Sequence, residues 1–369
     1  MWCNRHLWQD LNKKLVSVTD WNKIDHLSEL HGITPQLLHA IKAQKQETLL
    51  PPYIVQKWNK EVSRIAAENI CKLTVLKEII VLFNTGNIPV VLLRGARSAW
   101  SRYPTPELRP MADLDILVPH KQLLSAVKLL QKEGYLLIKS GEWNFIHPHF
   151  SGVVLDLHVD CFPWYGVKDM ELLWKKAKPC DFSCANNVFM LPNEETIIAE
   201  TCHAVLCHGF PKLLWLLDIA LLTHEKIDWE RLSVIARNLG VTVPVQLFLE
   251  LAKDMAGAIV GQGPDMTLGE RFQKKILVQL LSSFEEFPVT NIGHLLSFIW
   301  LRGFRKKSQY LKERFFPGSI FLARRYNAQN HNHHIFWKII RPLLILWETM
   351  LLFGKIAKHY LHKRKNFNN

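Results

Sequence analysis

A disulfide framework is the first thing this sequence lacks. Its seven cysteines are an odd number scattered over 369 residues, the pattern of a chain kept in a reducing compartment. A secretory leader is missing too: "MWCNRHLWQDLNKKL" has no apolar core followed by a small-residue cleavage site, so secretion is not expected and a cytoplasmic location is. Nor is there a long apolar run. In the apolar C-terminal stretch, the uncharged segments from Arg341 to Glu348 and from Glu348 to Lys355 are six residues each, too short and too interrupted to span a bilayer. Acidic residues, finally, are scarce in one place. Residues 301–369 carry fifteen Lys and Arg and only Glu313 and Glu348 as acids, whereas the first 300 residues balance 31 bases against 31 acids. A basic partner surface therefore belongs to the tail and not to the body.

What is present is enough apolar material, 48% of residues, for a sizeable core in two or three packed units. Residues 1–86 read as an N-terminal helical region. Trp21, Ile24, Leu27 and Leu30, then Leu37, Leu38 and Ile41, recur at steps of three and four, "HGITP" and "LPP" break the segments, and a longer helix covers roughly 53–86. Residues 87–190 read as a sheet domain. "IPVVLLRG" and "ADLDILV" are strands, "KQLLSAVKLLQKEGY" is an amphipathic helix, and "YLLIKS", "EWNFIHPHF" and "GVVLDLHVD" are three further strands. From 191 to 300 the pattern is helical again, opening at Asn193 as an N-cap. Residues 301–369 form the basic tail with its amphipathic helix. The fold class expected is α+β: a mixed sheet with helices, embedded between helical N- and C-terminal regions.

Within "LRPMADLDILVPH", Asp113 and Asp115 are two apart, so on a strand both carboxylates face one way and Leu114 and Ile116 the other. Adjacent anions on one face repel unless a positive charge sits between them, and hard oxygen ligands suit Mg²⁺. Asp156 also stands in an apolar strand, sharing its face with His158 and Asp160. A bare Asp-x-Asp is more often a solvated strand end than a metal site. The third strand aspartate and the turn at Arg94-Gly95-Ala96 change that balance, because carboxylates plus a backbone-exposing turn are the parts of two-metal phosphoryl transfer.

These residues resemble the uncharacterised nucleotidyltransferase family of the polymerase-beta-like superfamily. The resemblance rests on "LLRGA" at 92–96, Tyr103, "LRPMADLDILV" at 108–118, "EGY" at 133–135 and "LDLH" at 155–158. Flanking segments also look like the family: "HGITPQLL", "HAVLCHG", "LLWLLDIALL", "IDWERLSVIARNLG" and "FFPGSIFLARRY". It implies a polymerase-beta-like nucleotidyltransferase sheet and a Mg²⁺-dependent enzyme that moves a nucleoside monophosphate from an NTP, with ATP the expected donor, to an acceptor hydroxyl. Asp113, Asp115 and Asp156 would hold two Mg²⁺ ions, Asp156 would help deprotonate the acceptor, and Gly95 and Ala96 would face phosphate. Two departures stand out. The residue before the glycine is Arg94 where the family has Lys, and Gly95 lies 18 residues before Asp113.

Other residues carry two readings each. Arg109 is either a phosphate donor or a charge offset for nearby acids, and His158 either contacts ligands or is structural. In "CHAVLCH", His203 and Cys207 share a helical face while Cys202 and His208 do not join them, so core packing is favoured over zinc. Trp215 reads as core. The tail, 335–369, reads either as a C-terminal helix packed on the body and ending in a solvated basic stub or, less readily, as an amphipathic helix on an anionic membrane surface, over an apolar stretch at 335–358; nucleic acid is the weaker partner reading. The competing class is a catalytically silent interaction protein working through its helices and tail.

Overall fold

The computed structural model describes residues 11–138, 143–161, 167–182, 185–208, 212–261, 266–281, 304–316 and 336–347, with 298, 350 and 354. Four helices open the chain: α1 Leu11–Val16, α2 Trp21–His31, α3 Thr34–Ala43 and α4 Pro52–Thr85. Their ends follow from local chemistry. Asp20 caps α2 by accepting from the Lys23 N–H at 3.0 Å, and Gly32 closes it at φ 69°, a conformation glycine adopts without strain. Proline opens α4, where its fixed φ is already helical. The buried stripe of α4 runs Ile65, Asn69, Lys72, Val75, Leu76, Ile79, Ile80 and Phe83, three- and four-residue steps that lay one face on the sheet.

The sheet has seven strands: β1 Val90–Leu92, β2 Leu114–Leu117, β3 Leu136–Leu137, β4 Trp143–Ile146, β5 Val154–His158, β6 Lys178–Pro179 and β7 Val188–Met190. Their order is β3-β4-β5-β2-β1-β7-β6. β2 runs parallel to β5 and antiparallel to β1, and β1 is parallel to β7. The sheet is therefore mixed, as expected. β6 and β7 are strands the sequence did not reveal, being two and three residues long, below the length at which alternation can be seen. Between the strands lie α5 Arg94–Ser101, α6 Leu123–Lys132 and α7 Val167–Lys176.

After the sheet come α8 Asn193–Thr201, α9 Leu213–Leu222, α10 Trp229–Leu239, α11 Thr242–Ala256 and α12 Leu268–Leu281, then α13 Phe304–Phe315 in the tail. Asn193 is not the cap of α8. Pro192 holds that position, and the Asn193 amide donates instead to Glu225 at 3.0 Å.

Both sheet faces are covered. Leu92, Leu114 and Ile116 pack against Leu76, Ile80 and Phe83 of α4 in one core. Val91, Leu93 and Leu117 pack into a second core with Ile198, Leu216 and Phe248 of the later helices. The face bearing Asp115 is thus roofed by α8–α11, not solvated. Only the N-terminal end of β2 opens to a cleft.

The segment leading into β2 is held from three directions. The Gln36 amide of α3 donates to the Leu108 carbonyl at 2.5 Å, the Asn69 amide of α4 to the Arg109 carbonyl at 2.8 Å, and Lys72 Nζ to the Met111 carbonyl at 2.5 Å. From the opposite side, Asp218 of α9 receives Arg109 Nε at 3.0 Å on each oxygen and Nη2 at 2.6 Å. The N-terminal helices, the sheet and the later helices all meet at this strap.

In the tail, residues 336–347 are helical, and Arg341 Nε donates to the Arg314 carbonyl at 3.0 Å. Among the described residues no helix is long and apolar enough to cross a membrane. The rest of the helix expected across 335–358, apart from 350 and 354, lies outside the described residues.

Candidate active site

Parallel pairing of β2 with β5 sets the site. The register aligns Asp115 with Asp156 and Leu117 with His158, so two carboxylates and an imidazole from different parts of the chain converge. Asp115, Asp156 and His158 each offer a ligand atom, all within 4.8 Å of one another. Asp113 is not in that group. It lies one residue before β2 begins, so the face it was expected to share with Asp115 is not fixed by a strand, although it stays close enough to sense both other carboxylates.

The positive charge expected beside these anions is supplied in part by neighbouring side chains. Arg94 Nη1 donates to Asp115 Oδ1, and His158 Nε2 lies 2.8 Å from that same oxygen and 3.2 Å from Asp156 Oδ2. Burial alone would raise the Asp115 carboxyl, but Arg94 and His158 overcome it and hold it down to about 2. Burial opposes the His158 charge, and hydrogen bonds to Asp115 and Asp156 overcome that too, raising it to about 9. Asp113 gets less help. Burial first, then Asp115 and Asp156, push it up to about 6 against Arg94 and His158. Three carboxylates face two cations, and the excess negative charge falls on Asp113.

Arg94 also carries the turn's strain. It adopts φ 45°, a left-handed conformation costly for an arginine. The glycine beside it was expected to be the backbone-exposing residue, yet no left-handed φ falls on Gly95. What Gly95 supplies is room: a Cβ there would lie 3.2 Å from Met111 Cγ and 3.3 Å from Arg109 Nη1. Arg94, Gly95 and Ala96 form the first turn of α5, where backbone N–H groups lack intrahelical acceptors and the dipole favours anions. The Ala96 side chain itself is buried in the core with α4.

Arg109 is the second correction. Its guanidinium is spent on Asp218, and Tyr103 Oη also donates to Asp218 Oδ1 at 2.9 Å. Burial opposes the Arg109 charge but Asp218 raises its pKa further. The partner acid is on α9, more than a hundred residues away, not among the local acids. Arg109 lines the cleft while its guanidinium is paired with Asp218.

A cleft of about 710 Å³ opens over the site, lined by Arg94, Gly95, Asp113 and Asp115 below and by His203, His208, Lys212 and Trp215 on one wall. Sequence reasoning missed this wall. On an α-helix, residues five apart point in different directions. Here Cys202–Cys207 is a π-helical turn, and the His208 N–H bonds to the His203 carbonyl at 3.3 Å. That widening brings the two Nε2 atoms to 3.1 Å and sets both rings against Trp215. π-turns inserted in α-helices recur at functional sites. Burial and Arg94 lower the pKa of both histidines. His203 Nδ1 is buried with no hydrogen-bond partner among the described residues.

A mixed sheet presenting strand carboxylates to a cleft that a phosphate-bearing substrate can enter is the layout of a transferase of phosphorus-containing groups. The chain belongs to the family described as uncharacterised nucleotidyltransferase, which it matches over residues 17–257. Membership brings general nucleotidyl transfer, hence an NTP donor and an acceptor, and decides against the silent-scaffold reading of the body. No curated protein and no solved structure matches the chain.

Proposed function

We propose that this chain moves a nucleoside monophosphate from an NTP to an acceptor hydroxyl, releasing pyrophosphate, in a Mg²⁺-dependent reaction at Asp113, Asp115 and Asp156. The observation that carries the reading is the meeting of Asp115, Asp156 and His158 donor atoms within 4.8 Å, with Asp115 and its neighbour Asp113 lining a cleft of about 710 Å³. The donor set fits a divalent cation. Two carboxylate oxygens suit a hard ion, His158 would join them as a third ligand only on giving up its proton, and the carboxylate repulsion that adds to burial in raising Asp113 is what such an ion would relieve. When bound, divalent ions neutralise phosphate oxygens and stabilise charge developing at the transferred phosphorus.

The chain's own groups take the remaining roles. Asp115 and Asp156 hold one cation, and Asp113 shares a second. Arg94 leaves Asp115 for a polyphosphate oxygen, where a planar guanidinium donates in pairs. The N–H groups of Gly95 and Ala96 at the α5 N-terminus receive the triphosphate. Asp156, less buried than Asp115, accepts the acceptor proton. Trp215 and Lys212 form the wall against the nucleoside, a stacking and charge-bearing surface that does not require a particular base.

The experiment is to incubate the full chain with Mg²⁺ and each of four NTPs labelled at the α-phosphate, against a panel of hydroxyl-bearing small molecules, sugars and proteins. Label transfer with pyrophosphate release, abolished in Asp156→Asn, is the expected result. An ATP preference supports the donor assignment. A folded wild type that neither binds an NTP with metal nor transfers label overturns the proposal.

A further inference from the structure

Residues 336–347 form a helix with two unlike sides. Trp337, Arg341 and Ile345, spaced by four, are its half-buried to buried side, and Arg341 is only 5% exposed where it holds the Arg314 carbonyl. At about 100° per residue, the opposite side carries Phe336, Ile339, Leu343, Leu346 and Trp347, and the helical Met350 continues the row. All six are more than half exposed, from 52% at Leu346 to 67% at Met350. The anchoring side is the one with the arginine, and the solvent side is the apolar one. That inversion of the normal pattern marks a surface meant to be covered.

What covers it follows from charge. The segment 301–369 that carries this stripe has fifteen Lys and Arg against two acids, and Lys338 on this helix and Lys312 on α13 are exposed. A second copy of the chain would bring the same positive charge to the same place, which opposes stripe-to-stripe pairing. A surface that is apolar in depth and anionic at its rim complements both features. Among the described residues no helix is long and apolar enough to cross a membrane.

We propose that residues 336–350 dock the protein on an anionic lipid surface. The apolar row Phe336, Ile339, Leu343, Leu346 and Trp347 enters the headgroup and upper acyl region, and the surrounding Lys and Arg lie against lipid phosphates. Trp347 sits at the interface, where an amphipathic ring is favoured. The inference stands apart from the nucleotidyl-transfer reading, since none of these residues lines the cleft.

The test is co-sedimentation of the full chain with vesicles of phosphatidylcholine alone or doped with phosphatidylglycerol. Binding to the anionic vesicles and weaker binding to the neutral ones is expected, with loss at high salt as screening removes the charge term. The double variant Leu343→Glu/Trp347→Glu is expected to lose about tenfold or more in partitioning, with its circular dichroism and thermal transition unchanged because both positions are exposed. Quenching by brominated acyl chains, diminished in Trp347→Phe, places the row itself in the bilayer. Anionic binding undiminished in the double variant overturns the proposal, since charge alone would then suffice. So does absence of vesicle binding, or a self-association or protein complex of the wild type that the double variant abolishes while vesicle binding is unaffected.

Discussion

Two arginine–aspartate pairs, one buried and one half-buried, meet near the entry to β2, and they are built to opposite ends. Arg109 meets Asp218 through Nε and Nη2, Tyr103 adds a third donor, and both partners are under 5% exposed. Every charge there has its counter-charge. Arg94 meets Asp115 with one nitrogen and shares that oxygen with His158, while Asp113 and Asp156 stand beside it. In the first pair each charge is met by its partner. The second retains an excess of negative charge, a strained backbone at Arg94 and an opening to a cleft. Buried charge that is fully answered fixes structure, and buried charge left over at a cleft is a place for a ligand.

The sharpest way to break that contrast is to halve each pair. Arg109→Met leaves Asp218 buried and unanswered, an expected loss of about 3–5 kcal/mol of stability, readable in urea unfolding. Arg109→Met/Asp218→Leu removes both charges and is expected to recover most of that loss, with the residual set by the strap's geometry. Asp156→Asn in the other site is expected to leave the unfolding midpoint nearly unchanged and to lower turnover by about 10²–10³-fold, measured as α-phosphate transfer.

A subtler contrast concerns Glu200 of α8, buried behind both pairs. Burial first and Asp218 second raise its carboxyl from the ordinary 4.5 to about 7, against Arg94, Arg109 and Arg102. Below pH 4.5 both folded and unfolded chains carry the neutral acid. Between 4.5 and about 7 the folded chain keeps a proton that the unfolded chain releases, so stability present at low pH is lost as pH rises through about 7. Glu200→Gln is expected to flatten this fall, on the order of 3 kcal/mol across the range, in thermal transitions recorded from pH 5 to 8. The smallest expected effect is Arg94→Lys. It keeps the charge but loses the fork, and is expected to weaken NTP binding by about fivefold with no change in the Arg109 strap.

Much of this was legible in the residues. The strand positions of Asp115 and Asp156 and the mixed sheet follow from alternation in "ADLDILV" and "VVLDLH", whereas the parallel pairing of β2 with β5 does not. What was not legible has specific causes. The partner of Arg109 is on α9, and no local pattern links positions 109 and 218. The answering charges on Asp115 come from Arg94 and His158, brought there by β1 and β5 pairing on either side of β2. His203 and His208 were read with α-helical spacing, and only the π-turn at Cys202–Cys207 aligns residues five apart. The strain falls on Arg94 instead of Gly95, because the glycine is needed for close packing under Met111 and Arg109.

The central claim, that the carboxylate cluster is a metal-dependent NTP site and the neighbouring pair is not, is tested most directly by calorimetric titration of the full chain with an NTP. Binding in Mg²⁺ that vanishes in chelator, is lost in Asp156→Asn and survives in Arg109→Met/Asp218→Leu is the expected result. Equal binding with and without Mg²⁺, or binding undiminished in Asp156→Asn, would contradict it.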